Sequence, residues 1–254
     1  MKATLSSEWL KLRSVASTYH AIGTAAMTMV LGVVWALYVS ALAEDRGSLR
    51  AAAPEQGFLP LLQISLAVLG VLAITTEYAT GMIRTSLTTV PKRSTFLLAK
   101  AGIVAIATFT AALSILLVTY SVSRLIIGGH QVGFNDSAFT DDLPMLLASV
   151  LSVTCLALVG LGLGAAIRST AGAILSVVAL LFVLPGAANY LPPPWNTRVA
   201  PLLLPNLVPQ IADQRLSSRL GDGFLSPPAA LALLLAYPLI ALALGYYVLK
   251  RRDA

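Results

Sequence analysis

Charge is what this sequence has least of. Asp, Glu, Lys and Arg make up 11% of its 254 residues and 57% are hydrophobic, whereas a soluble domain is roughly a quarter charged. The apolar residues also run in long uninterrupted blocks, without the alternation of a half-buried strand or helix, so an ordinary soluble fold is excluded. The single cysteine, Cys155, lies inside such a block, so no disulfide framework or cysteine metal cluster can be built. Two histidines, His20 and His130, are present without an H-E-x-x-H, and no G-x-x-x-x-G-K-[ST] exists to cradle ATP phosphates. The net charge of +6 is not gathered into a basic stripe with interleaved aromatics, which argues against nucleic acid as a partner.

What is present is six blocks long enough to cross a bilayer. They run approximately over 21–43, 58–76, 101–123, 143–167, 169–191 and 228–249, and none contains Asp, Glu, Lys, Arg or His. About 20 apolar residues in a helix span the hydrocarbon with every backbone group satisfied internally. A charge at mid-membrane costs roughly 2.5–3.5 kcal/mol, so charge-free blocks read as true spans. The first block, about 23 residues, exceeds the hydrophobic region of a signal peptide and is read as a retained membrane helix.

Orientation follows from the cations. One side collects Lys2, Lys11, Arg13, Arg84, Lys92, Arg93, Lys100, Arg168, Lys250, Arg251 and Arg252 against Glu8, Glu77 and Asp253. The other carries six Lys and Arg against eight acids. The positive-inside rule then places both termini in the cytoplasm. The expectation is an all-α membrane protein of one domain over residues 1–254.

Three connections carry more than topology. Leu5, Trp9, Leu12 and Ala16 recur at helical spacing before the first block, predicting an amphipathic interfacial helix over residues 3–18. Trp9 and the two cations beside it fit equally well a plain anchor for the first span. The connection 77–100 is too polar for lipid and is expected to project into the cytoplasm, its first half continuing the second helix and Pro91 ending it. Leu87, Val90, Phe96 and Leu97 give that projection apolar surface, which suits a handle for a soluble partner. The external connection 192–227 holds the apolar run Val199 to Ala212, broken by Pro201, Pro205 and Pro209, and is expected to dip toward the membrane under cover of other helices. On the fourth block, Gly160 and Gly164 form a G-x-x-x-G that admits a close helix neighbour, in this subunit or another.

Glu77, Gly81, Leu87, Pro91, Arg93, Leu97 and Lys100 follow E-x-x-x-G, a short leucine-bearing stretch, P-x-R/K and a second leucine-bearing stretch ending in Lys. That pattern resembles the second cytoplasmic segment of type-2 ABC exporter permeases, and Glu8-Trp9-Leu10-Lys11-Leu12-Arg13 is similar to the opening of many actinobacterial members. Met82 departs from it, standing where members often carry Thr. The resemblance implies a half-transporter of the bacterial plasma membrane: two permeases, identical or siblings, carrying two cytoplasmic ABC ATPase subunits that hold ATP and Mg, with no cofactor on this chain. It implies coupling to the ATPase through Glu77, Gly81, Arg84, Leu87, Pro91 and Arg93. It also implies a substrate route between the permeases, lined by Gln63, Ser65, Ser176 and Phe182 of the second and fifth spans, with residues 199–212 as an external gate.

The residues alone make a related demand. Without a nucleotide cradle the chain draws energy from elsewhere, and ion coupling needs an intramembrane ionisable group that these blocks lack. An uncharged route suits a hydrophobic or amphiphilic cargo such as a drug, an antibiotic, a peptide or a lipid. An intramembrane enzyme is the rival from another class, but by this topology His20 and His130 lie on opposite sides and cannot converge. A membrane scaffold or assembly factor without transport fits the composition equally, and only the cytoplasmic handle and the family resemblance argue against it. Cysteine probes at positions 136 and 221 are expected to label from outside intact cells and a probe at Ser94 only after the membrane is opened; labelling of position 94 in intact cells would overturn this orientation.

Overall fold

The computed structural model describes residues 7–10, 16–46, 49–90, 92–130, 132–135, 137–213 and 224–251. Among them all regular structure is helical. The principal helices are α1 (Ala16–Arg46), α2 (Leu59–Ala79), α3 (Met82–Thr89), α4 (Arg93–Ile127), α5 (Phe139–Ile167), α6 (Thr170–Ala188), α7 (Leu204–Ile211) and α8 (Pro227–Arg251). Six of these, all but α3 and α7, are long and apolar enough to cross a membrane. Residues 7–10 form a further helical turn; residues 3–6 and 11–15 of the expected interfacial helix, Leu5 and Leu12 included, lie outside the described residues, and its last three, 16–18, begin α1 instead.

Helix ends differ from the sequence expectation beside the charged connections. α4 begins at Arg93 rather than at Ala101, so Lys100 belongs to the helix and not to a projecting loop. Nor does α2 continue outward through Leu87. It stops at Ala79, Gly81 turns left-handed at φ 71°, and α3 is a separate short helix. Glycine takes that conformation without the steric cost a Cβ brings. α6 ends at Ala188 and carries a π-helical turn over Ala179–Val183. Pro185 accounts for the turn: it offers no N–H, and its ring crowds the carbonyl four residues back at Leu181.

α5 is the post of the bundle. Of its most apolar stretch, 78% is buried, against 22% for α6 and 28% for both α1 and α8. Glycine makes this possible by letting backbones meet. A Cβ at Gly160 would lie 2.6 Å from the Ala67 carbonyl oxygen of α2, and one at Gly164 2.9 Å from Ile74. Gly162 opens on the other side, where a Cβ would come within 2.4 Å of the Ala241 backbone of α8. α2 answers with Gly70 against Ala157, and α8 with Gly245 against Gly162. The G-x-x-x-G is therefore an intrachain contact between α5 and α2. In lipid, such close approach replaces the hydrophobic driving force available in water.

The proline-broken run before α8 forms three short pieces, Trp195–Val199, Ala200–Leu202 and α7, instead of one helix. Leu204 and Leu207 are buried in the core shared by α2, α5, α6 and α8, and Val208 packs on Met145 and Ala148 of α5. Gln210, itself buried, pins the pieces together: its amide donates to the carbonyls of Pro201 (2.9 Å) and Asn206 (2.6 Å), and its oxygen accepts from the Leu225 N–H at 2.8 Å. Tyr237 of α8 donates to the Leu202 carbonyl at 2.9 Å.

Gly70→Ala drives a methyl into the Ala157 backbone and is expected to cost about 1–3 kcal/mol, read as a lowered unfolding temperature in detergent. Gly102→Ala, where nothing lies within 4 Å of the added Cβ, is expected to leave it unchanged or slightly raised.

Candidate functional site

At both ends of the bundle charges beyond the apolar blocks are gathered into ion clusters, one half-buried and one buried. Lys100 and Arg124 sit on the same helix, about 36 Å apart at roughly 1.5 Å of rise per residue, a little more than the hydrocarbon thickness of about 30 Å. Arg124 forms an ion pair with Glu55 (2.9 Å) and a longer one with Asp142 (3.4 Å). Its guanidinium lies over the rings of Tyr120 and Phe134 at 4.1 and 4.8 Å, and the Tyr120 hydroxyl donates to Asp142 at 3.0 Å. This cluster joins α4, the turn Pro54–Gly57 and α5.

At the opposite end the Lys100 ammonium lies between two carboxylates, Glu77 of α2 at 2.9 Å and Glu8 of the 7–10 turn at 2.5 Å. It also approaches the Phe96 ring, 5.2 Å from its centroid. Lys100, Glu77 and Glu8 are 3%, 4% and 5% exposed, so their charges are held by one another and not by solvent. Glu8, read from the sequence as part of a polar helix face, is turned inward, while Trp9 and Leu10 beside it are exposed. The reason is charge: Lys100 has a buried ammonium that the Glu8 carboxylate can reach.

α3 rides directly on this cluster. Ile83 and Ser86 are buried and Leu87 and Val90 partly so, in a core with Phe96, Leu97, Ala101 and Leu249. Met82, Arg84, Thr85, Thr88 and Thr89 face outward. The outward face therefore carries one cation and three hydroxyls, with no carboxylate. Thr88 and Thr89 spend their hydroxyls on the Thr85 carbonyl. Two further contacts tie this end together. The Arg93 guanidinium donates to the Leu249 and Lys250 carbonyls at the end of α8, where a cation complements the helix dipole. Arg168, left-handed at φ 60° after α5, lies 5.2 Å over the Tyr78 ring of α2.

The coupling residues named from the sequence thus divide. Arg84 is on the exposed face of α3, Gly81 makes the turn before it, and Leu87 packs its inner face. Glu77 is locked to Lys100, Arg93 caps α8, and Pro91 lies outside the described residues. The pathway residues are not brought together on one surface. Gln63 is buried and donates to the Ser152 hydroxyl of α5 at 3.0 Å. Ser65 and Ser176 bond their own helices at Leu61 and Gly172, and Phe182, in the π turn of α6, is 46% exposed.

Sequence reasoning missed both ion clusters and Gln210. A signal was available for the clusters: every member but Glu8 is the first charge flanking an apolar block, and in each cluster all members fall on one side of the topology. Among the described residues no group of His, Cys, Asp or Glu converges to hold a metal ion. The arrangement sets an exposed short helix, α3, on a buried ion cluster that joins α2, α4 and the 7–10 turn.

Residues 46–254 match the family model described as ABC-2 family transporter protein. No curated protein matches the chain.

Removing Lys100 strands two buried carboxylates, so Lys100→Met is expected to destabilise by about 3–5 kcal/mol, measured as the shift in thermal or denaturant unfolding. Adding Glu8→Gln and Glu77→Gln to that variant should recover much of the loss; no recovery would show that the carboxylates do not depend on Lys100.

Proposed function

The chain belongs to the ABC-2 transporter family and is a permease component of an ABC transporter; we propose that it serves an ATP-driven exporter, coupled to separate cytoplasmic ATPase subunits through α3. The observation that carries this reading is the exposed Arg84–Thr85–Thr88 face of α3, set on a base that cannot yield locally. A force on α3 meets the apolar contacts of Ile83 and Leu87, the short turn to α2 at Thr80–Gly81, and the Lys100 cluster. Separating those buried charges costs several kcal/mol, so the displacement passes to α2 and α4 as whole helices, and through Arg93 to α8. The cationic, hydroxyl-rich face fits an acidic cleft on the ATPase, where ATP and Mg would be held.

In this reading both termini and α3 are cytoplasmic, the membrane is the bacterial plasma membrane, and two permeases, identical or siblings, assemble with two ATPases. The second permease would meet the sparsely covered α6, whose Leu175, Phe182 and Val183 are exposed. Phe182 then remains available to a route between the subunits, while Gln63 and Ser152 serve helix pairing. A hydrophobic or amphiphilic cargo follows from the absence of charge along α6.

Reversing the α3 charge with Arg84→Glu is expected to weaken capture of the ATPase roughly tenfold, about 1.4 kcal/mol, while the unfolding temperature of the permease alone stays put; Arg84→Lys should retain most of the binding. Unchanged assembly and unchanged stimulated ATP hydrolysis in Arg84→Glu combined with Thr88→Trp would remove α3 from the coupling role.

A further inference from the structure

One side of the bundle is left open where the first turns of α4 run past the last turns of α8. Ser94, Leu98 and Ala101 from α4 and Leu242, Ala243 and Tyr246 from α8 border a groove of about 240 Å³. Ser94, Leu98 and Ala101 lie on one face of α4 at four- and three-residue steps, so the groove descends about 10 Å along the helix axis. Ala101 and Ala243 create the hollow, since each fills its position with only a methyl group. Apart from the Ser94 and Tyr246 hydroxyls, the side chains bordering it are hydrocarbon.

The mouth of this groove has the opposite character. Arg93 fixes the start of α4 to the end of α8 through the Leu249 and Lys250 carbonyls, and around that junction Lys92, Lys250 and Arg251 are exposed. Lys250 lies one turn beyond Tyr246 on the same stripe of α8. Arg251 stands 4.5 Å over the Tyr247 ring. The carboxylates described at this end of the bundle, Glu8 and Glu77, share the buried Lys100 ammonium, and the single negative charge that trio keeps is outweighed by the three exposed cations. Two tyrosines at the boundary complete the arrangement, since amphipathic rings settle at the headgroup level.

We propose that the α4–α8 groove is a binding site for one anionic phospholipid, an acyl chain lying along Leu98, Ala101 and Ala243 and the phosphate held by Lys92, Lys250 and Arg251. Charge decides among lipids here. A zwitterionic lipid offers the same hydrocarbon but brings its own cation to a mouth that already has three, whereas an anionic headgroup gains about five-fold in affinity for each nearby Lys or Arg. The first turn of α4 adds to this with N–H groups that no Lys92 side-chain cap occupies. Bound there, the lipid bridges the helix that carries Lys100 and the helix capped by Arg93, outside the α3 face proposed to meet the ATPase.

The test uses the full chain in phosphatidylcholine nanodiscs doped with phosphatidylglycerol carrying a photoreactive group on its acyl chain, read by peptide mapping. Label is expected on the peptides spanning residues 93–101 and 242–251, at least about five-fold above that from the matched photoreactive phosphatidylcholine. The triple variant Lys92→Gln, Lys250→Gln, Arg251→Gln should bring the two lipids to the same level, and Ala243→Trp, which fills the hollow, should remove label from both. Equal labelling by the two lipids in the unmodified chain, label on these peptides that survives Ala243→Trp, or displacement by inorganic phosphate would each overturn the proposal. So would efficient disulfide cross-linking between copies bearing Leu98→Cys, since a second chain would then fill the groove. The three cations are exposed, so the charge variant stays interpretable even if Ala243→Trp folds poorly. No ATPase takes part, so failure of the coupling reading and failure of this one are separately visible.

Discussion

Backbone meeting backbone along α5 is the contact on which this bundle depends. Lipid is as apolar as leucine, so burying a side chain between helices gains little over leaving it in the bilayer. What differs is distance: dispersion falls off steeply with separation, and only residues without side chains let two helix cylinders close up. Gly160, Gly162 and Gly164 thin α5 on two sides, and Gly70 and Gly245 thin its neighbours at the matching heights. The result is a central helix clasped between α2 and α8, with α1, α4 and α6 arranged around that core.

Height and register are set by charge at the two ends. Arg124 with Glu55 and Asp142, and Lys100 with Glu8 and Glu77, each gather residues from three chain segments into one group, half-buried in the first case and buried in the second. Neither group is good evidence of net stability, because desolvating three charges offsets much of their attraction. Their effect lies in what they forbid. Sliding α4 along α2 by one turn would pull Lys100 from Glu77 at one end and Arg124 from Glu55 at the other, leaving unpaired charge against hydrocarbon at both. The two groups therefore oppose slippage of the helices past one another more than movement of the bundle as a body.

Cover is uneven, and the unevenness separates fixed parts from available ones. The segment before α8 is held by side chain to backbone bonds from Gln210 and Tyr237, although its prolines leave its own backbone short of donors. α6, by contrast, is the least covered span and contains the one π turn described. The α4–α8 groove is uncovered for a different reason: the Arg93 side chain ties the start of α4 to the last carbonyls of α8, and the alanines above it leave the space between unfilled.

The six spans were legible in the sequence, because a helix in lipid must satisfy its own backbone over about 20 residues and exclude charge over the same length. Both conditions are local, and so is the pattern that identifies the family. That Gly160 and Gly164 meet another helix was legible too, but not that it is α2 of the same chain, since small residues at that spacing record closeness without naming a neighbour. Glu77 and Lys100 were read as parts of a solvated connection because a charge beside an apolar block looks the same whether water or a distant counter-ion holds it. Gln63 offered the same ambiguity until Ser152 was placed opposite it. The sequence by itself determined which segments enter the membrane; only the tertiary structure decided which polar groups face each other, because such pairs join residues far apart along the chain and depend on how the helices pack.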